Sequence, residues 1–255
     1  MFAYGTPFCV VGKAQVIPEE SMRKYNVIFW DLDQTLLNFD LSMEHAIRVV
    51  FHKYGLDVND KIIARYGAIN QSYWNRLELG EVTKEEVTVG RFRTLFEEFN
   101  IRHIPPEEIN KVYQKELGNV YFYMDGAKET VQELCKMGYR QYVVTNGVNS
   151  TQASKMKLSG FDRMVDGVFV SEVIGYPKPM KEFYEACFSA LPDVKRDECI
   201  MVGDSLTSDM RGANNAGIDA CWFNPNGCRN DTDVRIDYEI RQLTELLTIL
   251  DEGRV

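Results

Sequence analysis

Six short apolar or β-branched runs alternate with helical patterns, and this rhythm constrains the chain more than any other feature. The runs are Val27–Trp30, Tyr142–Thr145, Val168–Val170, Cys199–Val202, Ala220–Phe223 and, least regular, Ile236–Ile240. Three of them are almost continuously apolar, as strands buried on both faces must be. Segments between them, such as Lys128–Met137 and Lys181–Ala190, carry helical spacing. Strands alternating with helices predict an α/β fold: a Rossmann-like parallel sheet with helices on both faces.

One stretch breaks the rhythm. Residues 39–122 contain helical patterns and no good strand. Met43, Ala46, Ile47, Val50, Phe51 and Tyr54 share one helical face, with Asp40 as a candidate N-cap and Gly55 as the C′ residue. Thr83-Lys84-Glu85-Glu86 is a capping box opening a helix that aligns Phe92, Leu95, Phe96 and Phe99. Pro105-Pro106-Glu107-Glu108 starts another. The expected organisation is a core from residues 22–38 and 123–255, an all-helical cap inserted over 39–122, and an extension over 1–21. The 255 residues suffice for a core plus an insertion.

Charge and apolar content narrow the partners. The net charge is −9 and no Lys/Arg stripe occurs, so polymeric nucleic acid is a poor fit. No apolar run approaches the ~18 residues of a membrane span. The opening MFAYGTPFCVVGKAQV lacks a basic start and is interrupted by Pro7, a poor signal peptide. Cys9, Cys135, Cys187, Cys199, Cys221 and Cys228 are scattered without a C-x-x-C, as expected of reduced thiols in a cytoplasm.

The ends of the runs carry the chemistry. In open parallel sheets ligands bind at the carboxyl ends of strands. The first run ends in Asp31-Leu32-Asp33-Gln34-Thr35, the second in Thr145-Asn146-Gly147, and the fourth in Gly203-Asp204-Ser205, with Asp209 five residues after Asp204. Lys178 stands between Pro177 and Pro179, the latter a candidate N1 residue for the helix that follows. Each element alone is an ordinary turn or cap. Taken in order they are an acid pair, a hydroxyl and amide suited to phosphate oxygens, a restrained lysine, and a second acid pair suited to a hard cation.

This ordered set resembles the haloacid dehalogenase superfamily: DLDQT at 31–35, Thr145 in VVTNG, Lys178 in PKP and GDSLTSD at 203–209. The likeness covers residues 25–250, and the insertion resembles that family's helical type 1 cap. Tyr66, Asn70, Trp74, Arg91 and Phe92, with the run GDSLTSDMRGANNAGIDACWFN, look like bacterial pyrimidine 5′-nucleotidases. The resemblance implies an Mg²⁺-dependent phosphomonoesterase, acting on a small phosphorylated metabolite, as a monomer or homodimer. Within it Asp31 is the nucleophile that forms an aspartyl-phosphate, and Asp33 is the acid and base, with a raised pKa. Asp31, Asp204 and the Asp33 carbonyl hold the cation. Lys178, Thr145 and Asn146 bind the phosphoryl group, and Asp209 orients Lys178 or a metal-bound water. A cation is needed, since a phosphate and a carboxylate repel by about 4 kcal/mol per unit pair at 4 Å and an effective dielectric of 20.

Asp33 argues against dehalogenation and phosphonate cleavage, which proceed in the family without it. Sugar-phosphate or phosphoglycolate hydrolysis, and a hexose-phosphate mutase, remain the alternatives. Substrate choice falls to the cap, with Phe39, Tyr66, Asn70, Trp74, Arg76 and Arg91 as candidates, an aromatic stacking on a base and Asn reading its edge. His45 and His52 share a polar helical face with Arg48, and His103 reads as a loop residue; no His-based mechanism is expected.

Overall fold

A computed structural model of the chain describes residues 23–252, so the expected extension over 1–21 lies outside the described residues. Strands β1 (Val27–Trp30), β2 (Arg140–Thr145), β3 (Gly167–Val170), β4 (Cys199–Gly203), β5 (Asp219–Phe223) and β6 (Tyr238–Ile240) form one parallel sheet in the order β3-β2-β1-β4-β5-β6. Helices α1 (Phe39–Lys53), α2 (Asp60–Glu78), α3 (Lys84–Glu98) and α4 (Pro106–Gly118) fall between β1 and β2, followed by α5 (Ala127–Lys136). The later helices are α6 (Asn149–Ser159), α7 (Ser171–Ile174), α8 (Lys181–Ala190), α9 (Arg211–Ala216) and α10 (Glu245–Glu252).

Alternation along each strand supplies both sheet faces. Ile28, Trp30, Val143, Ile200, Val202 and Cys221 pack with Val131 and Leu134 of α5 and Leu246 of α10. Val27, Phe29, Tyr142, Val144, Met201 and Ala220 pack with Phe183 and Tyr184 of α8 and Ala213 of α9. A single strand thus buries both faces, which is why these runs are continuously apolar. A third cluster draws only on residues 43–117, including Ile47, Phe51, Tyr66, Phe92, Leu95, Tyr113 and Leu117. The two ends of this four-helix layer meet at the Leu37–Tyr123 antiparallel bridge and the bond from the Asn38 amide to the Phe122 carbonyl (2.8 Å).

The helix starts show two differences from the local patterns. Helix α1 is capped by Asn38, whose side chain accepts from the Leu41 amide, so Asp40 lies inside the first turn. There its charge faces the helix N-terminus instead of capping it. Helix α8 begins at Lys181 with Met180 extended at the cap, and Pro179 precedes it behind a cis Lys178–Pro179 bond. The Lys178–Met180 backbone is a turn delivering the lysine, not a helix start. The Thr83–Glu86 capping box and the proline start of α4 form as the sequence predicts. No helix among the described residues is long and apolar enough to cross a membrane.

Candidate active site

The sheet order reverses beside β1, and a cleft opens over the carboxyl ends of β1, β2 and β4. Ligand crevices in doubly wound sheets form at such a switch point. Trp30 is level with Val143 and Val202, so these three strands run out within two residues of one another. Asp31 just after β1, Thr145 as the last residue of β2 and Asp204 just after β4 are thereby delivered to one place. The cleft is lined by these three with Asp33, Asn146, Lys178, Ser208 and Asp209 from below, and by Phe39, Asn70, Trp74 and Glu78 from α1 and α2 above. A roomier groove of about 690 Å³ by the start of α4 holds Arg93, Arg102 and His103 but none of the strand-end acids.

Lys178 sits at the centre, 1 % exposed. Its three N–H bonds are all used: to Asp31 Oδ1 (2.6 Å), Asp209 Oδ1 (2.7 Å) and the Val144 carbonyl (2.8 Å). Burial alone would lower its pKa, but Asp209 and Asp31 outweigh this and hold it well above the ordinary lysine value. Burial pushes Asp31 up to about 7, against the opposing pull of Lys178. Asp204 has no cationic partner among the described residues; Thr35 Oγ1 donates to it at 3.3 Å. Burial, then the charges of Asp31 and Asp209, raise its pKa well above the usual carboxylate range.

Oxygens of Asp31, Asp204 and Asp209 lie within 4.8 Å of one another. Three acids facing one ammonium leave an excess of negative charge in a low-dielectric cleft. An all-oxygen donor set of this kind fits a hard divalent cation. Gly203 is required here, because the Asp209 carboxylate occupies the space a Cβ would take. The Asp209 Oδ2 also accepts from the Ser205 amide (3.1 Å).

The remaining expected residues divide by what they touch. Thr145 Oγ1 accepts from the Gly147 amide and from Gln152, which leaves its own proton for a ligand. The Asn146 side chain exchanges two bonds with the Lys178 backbone (2.8 and 2.9 Å), so it fixes the lysine loop. Asp33 stands outside the three-acid cluster, its carboxylate taken by Lys155 (2.6 Å) and Gln152 (2.7 Å) of α6. Asn70 and Trp74 reach the cleft. Arg91 does not: it is 1 % exposed and lies behind Asn70, to which it donates at 2.7 Å. Tyr66 is fully buried in the aromatic packing of the layer. Arg76 lies over the Tyr73 ring and pairs with Glu81.

Four contributors escaped the sequence reading. Gln152 and Lys155 are an i, i+3 pair on the helix after the Thr145 loop, a spacing that places both on one face. Lys84, at the start of α3, donates to the carbonyls of Asn146 and Gly147 and to Ser171 Oγ (3.0 Å). Its pKa is lowered to about 8 by burial, despite the opposing charge of Glu172. Glu78, at the end of α2, accepts from the Thr207 hydroxyl (2.5 Å), and burial raises it to about 7. These two residues tie the helical layer to the loops that follow β2 and β4.

A model of the haloacid dehalogenase-like hydrolases matches residues 25–217. The Bacillus subtilis HAD-hydrolase YfnB is 34 % identical over 230 residues, covering 90 % of this chain and 97 % of that protein. Its magnesium-bound crystal structure matches with a TM-score of 0.85 at 33 % identity, over 90 % of this chain and all of that one. The pyrimidine 5′-nucleotidase PynA of Streptococcus pneumoniae is 32 % identical over 229 residues, 90 % of this chain and 96 % of PynA. The pyrimidine 5′-nucleotidase YjjG of Escherichia coli is 25 % identical over 230 residues, 89 % of this chain and 98 % of YjjG.

Proposed function

We propose, because the chain belongs to the haloacid dehalogenase-like hydrolase family and is a phosphoric monoester hydrolase, that it hydrolyses nucleoside 5′-monophosphates with Mg²⁺ through an aspartyl-phosphate on Asp31. The observation that carries this reading is Lys178 Nζ bridging Asp31 and Asp209 beside Asp204, which has no cationic partner among the described residues. Asp31, Asp204 and Asp209, with the Asp33 carbonyl, are the groups that would hold the cation. When bound, Mg²⁺ supplies positive charge that offsets repulsion between the acids and the phosphate.

In the first step Asp31 Oδ2 attacks phosphorus, since Oδ1 is held by Lys178. The ester P–O bond breaks, and Asp33 gives its proton to the departing alkoxide. In the second step Asp33 takes a proton from water, whose oxygen attacks phosphorus and returns Asp31 as a carboxylate. Lys178 and the Thr145 hydroxyl stabilise charge on the phosphoryl oxygens throughout. Gln152 and Lys155 of α6 hold the Asp33 side chain in place at the cleft. Residues 39–122 serve as the cap that chooses the leaving group, with Lys84 and Glu78 seating it on the core.

Pyrimidine nucleotides are the favoured substrates on the resemblance to PynA and YjjG. The test is free-phosphate release over a library of nucleotides, sugar phosphates and phosphoglycolate, with Mg²⁺ and with EDTA. Nucleotides should lead and EDTA should abolish release. A sugar phosphate or phosphoglycolate preferred over every nucleotide removes the substrate assignment, and activity undiminished by EDTA removes the cation.

A further inference from the structure

Asn70 is only 4 % exposed, yet its side chain forms part of the cleft wall above the acids. Its Oδ1 accepts from Arg91 Nη1 at 2.7 Å and from Trp74 Nε1 at 3.1 Å. Guanidinium and indole N–H groups can only donate. The amide atom on which both converge is therefore the oxygen, whatever the ambiguity of amide orientation elsewhere. The Asn70 NH₂ has no partner among the described residues and is not sealed from the cleft. Rotating the amide by half a turn would set that NH₂ against two donors and leave both unpaired.

Arg91 is itself immobilised. Its Nε donates to the Thr88 carbonyl (3.2 Å) and its Nη2 to Asn110 Oδ1 (3.3 Å), and its plane lies 4.9 Å from the centre of the Tyr113 ring. It cannot reach a ligand in the cleft. Trp74 spends its only N–H on Asn70, which leaves its ring as an apolar surface on the same wall.

We propose that Arg91 and Trp74 are positioning residues that lock Asn70 with its NH₂ facing the leaving group, so that the cleft selects nucleotides whose base offers a carbonyl or ring-nitrogen acceptor there. This rests on the nucleotidase reading and deepens it: the base is recognised by an oriented neutral donor. A site built around an oriented donor discriminates against a leaving group with nothing to accept the bond.

The experiment compares kcat/KM for uridine 5′-monophosphate with that for ribose 5-phosphate, which lacks the base. Asn70→Asp keeps the shape and the Arg91 contact but turns an acceptor toward the cleft. It should lower the nucleotide-to-sugar ratio by about 10–100-fold, mainly through the KM for the nucleotide. Trp74→Phe keeps the ring and removes one of the two locking donors. It should lower the same ratio by about 2–5-fold. A purely structural role predicts equal falls for both substrates. An unchanged ratio in both variants overturns the proposal while leaving the nucleotidase reading in place. A wild-type enzyme without preference for the nucleotide removes that reading and the proposal together.

Discussion

Two cations, Lys178 and Arg91, are equally buried at 1 % exposure, and they are handled in opposite ways. Lys178, beneath the cleft, is held by two carboxylates. Arg91, in the helical layer, is held by an amide oxygen on either side, a main-chain carbonyl and the faces of Tyr66, Phe92 and Tyr113. The sheet side of the cleft concentrates charge, as binding a phosphate dianion requires. Apart from Glu78, the helical side lines the cleft with a neutral amide and aromatic rings, as suits the uncharged part of an ester. On the proposed reading, the floor carries the reaction and the roof selects what is hydrolysed.

The largest way to break this contrast is Asp31→Asn. Turnover should fall by about 10⁴-fold or more, with an unchanged circular dichroism spectrum. Residual turnover within tenfold of wild type would take the reaction away from the floor.

Removing each buried cation measures the contrast itself. Lys178→Met strands Asp31 and Asp209 as unpaired buried acids, at a cost of about 3–5 kcal/mol of stability. Arg91→Met strands no charge, because its partners are neutral, and should cost about 1–2 kcal/mol. Denaturant titration reads both, and equal costs would erase the distinction drawn between the two regions.

Glu78 lies at the boundary. Its folded pKa, about 7, is above the ordinary value of 4.5, so the folded state binds its proton more tightly than the unfolded chain. Its stabilising contribution is complete below about pH 4.5 and is lost as pH rises through about 7. With divalent cations chelated, wild type should lose about 1–2 kcal/mol more than Glu78→Gln between pH 5 and pH 8, after allowance for solvent screening. Parallel stability curves for the two proteins would exclude Glu78 as a titrating contact between the regions.

The floor was legible because its parts are local. Each acid or hydroxyl ends or closely follows a buried apolar run, and the parallel register brings those run ends within two residues of one another, so reading the runs placed Asp31, Thr145 and Asp204 together. The roof was legible only as helices. Phe92 and Leu95 follow from spacing, but Arg91 beside them carries no local sign that it turns inward to Asn70, 21 residues away. Gln152 and Lys155 reach Asp33 across 119 and 122 residues, and Lys84 reaches Asn146 across 62. Such pairings depend on how packed layers meet, which periodicity does not encode. The displaced start of α8 has the same origin: Pro179 serves the turn that delivers Lys178 and leaves the cap to Met180.

The most direct measurement is chemical trapping during turnover. Enzyme quenched with borohydride while hydrolysing a nucleotide converts an aspartyl-phosphate to homoserine, and peptide mass mapping locates it. The conversion should appear at position 31 alone, require substrate, and be absent from Asp31→Asn. Conversion at a different acid, or an untouched Asp31 in enzyme caught mid-turnover, would contradict the assignment of the nucleophile.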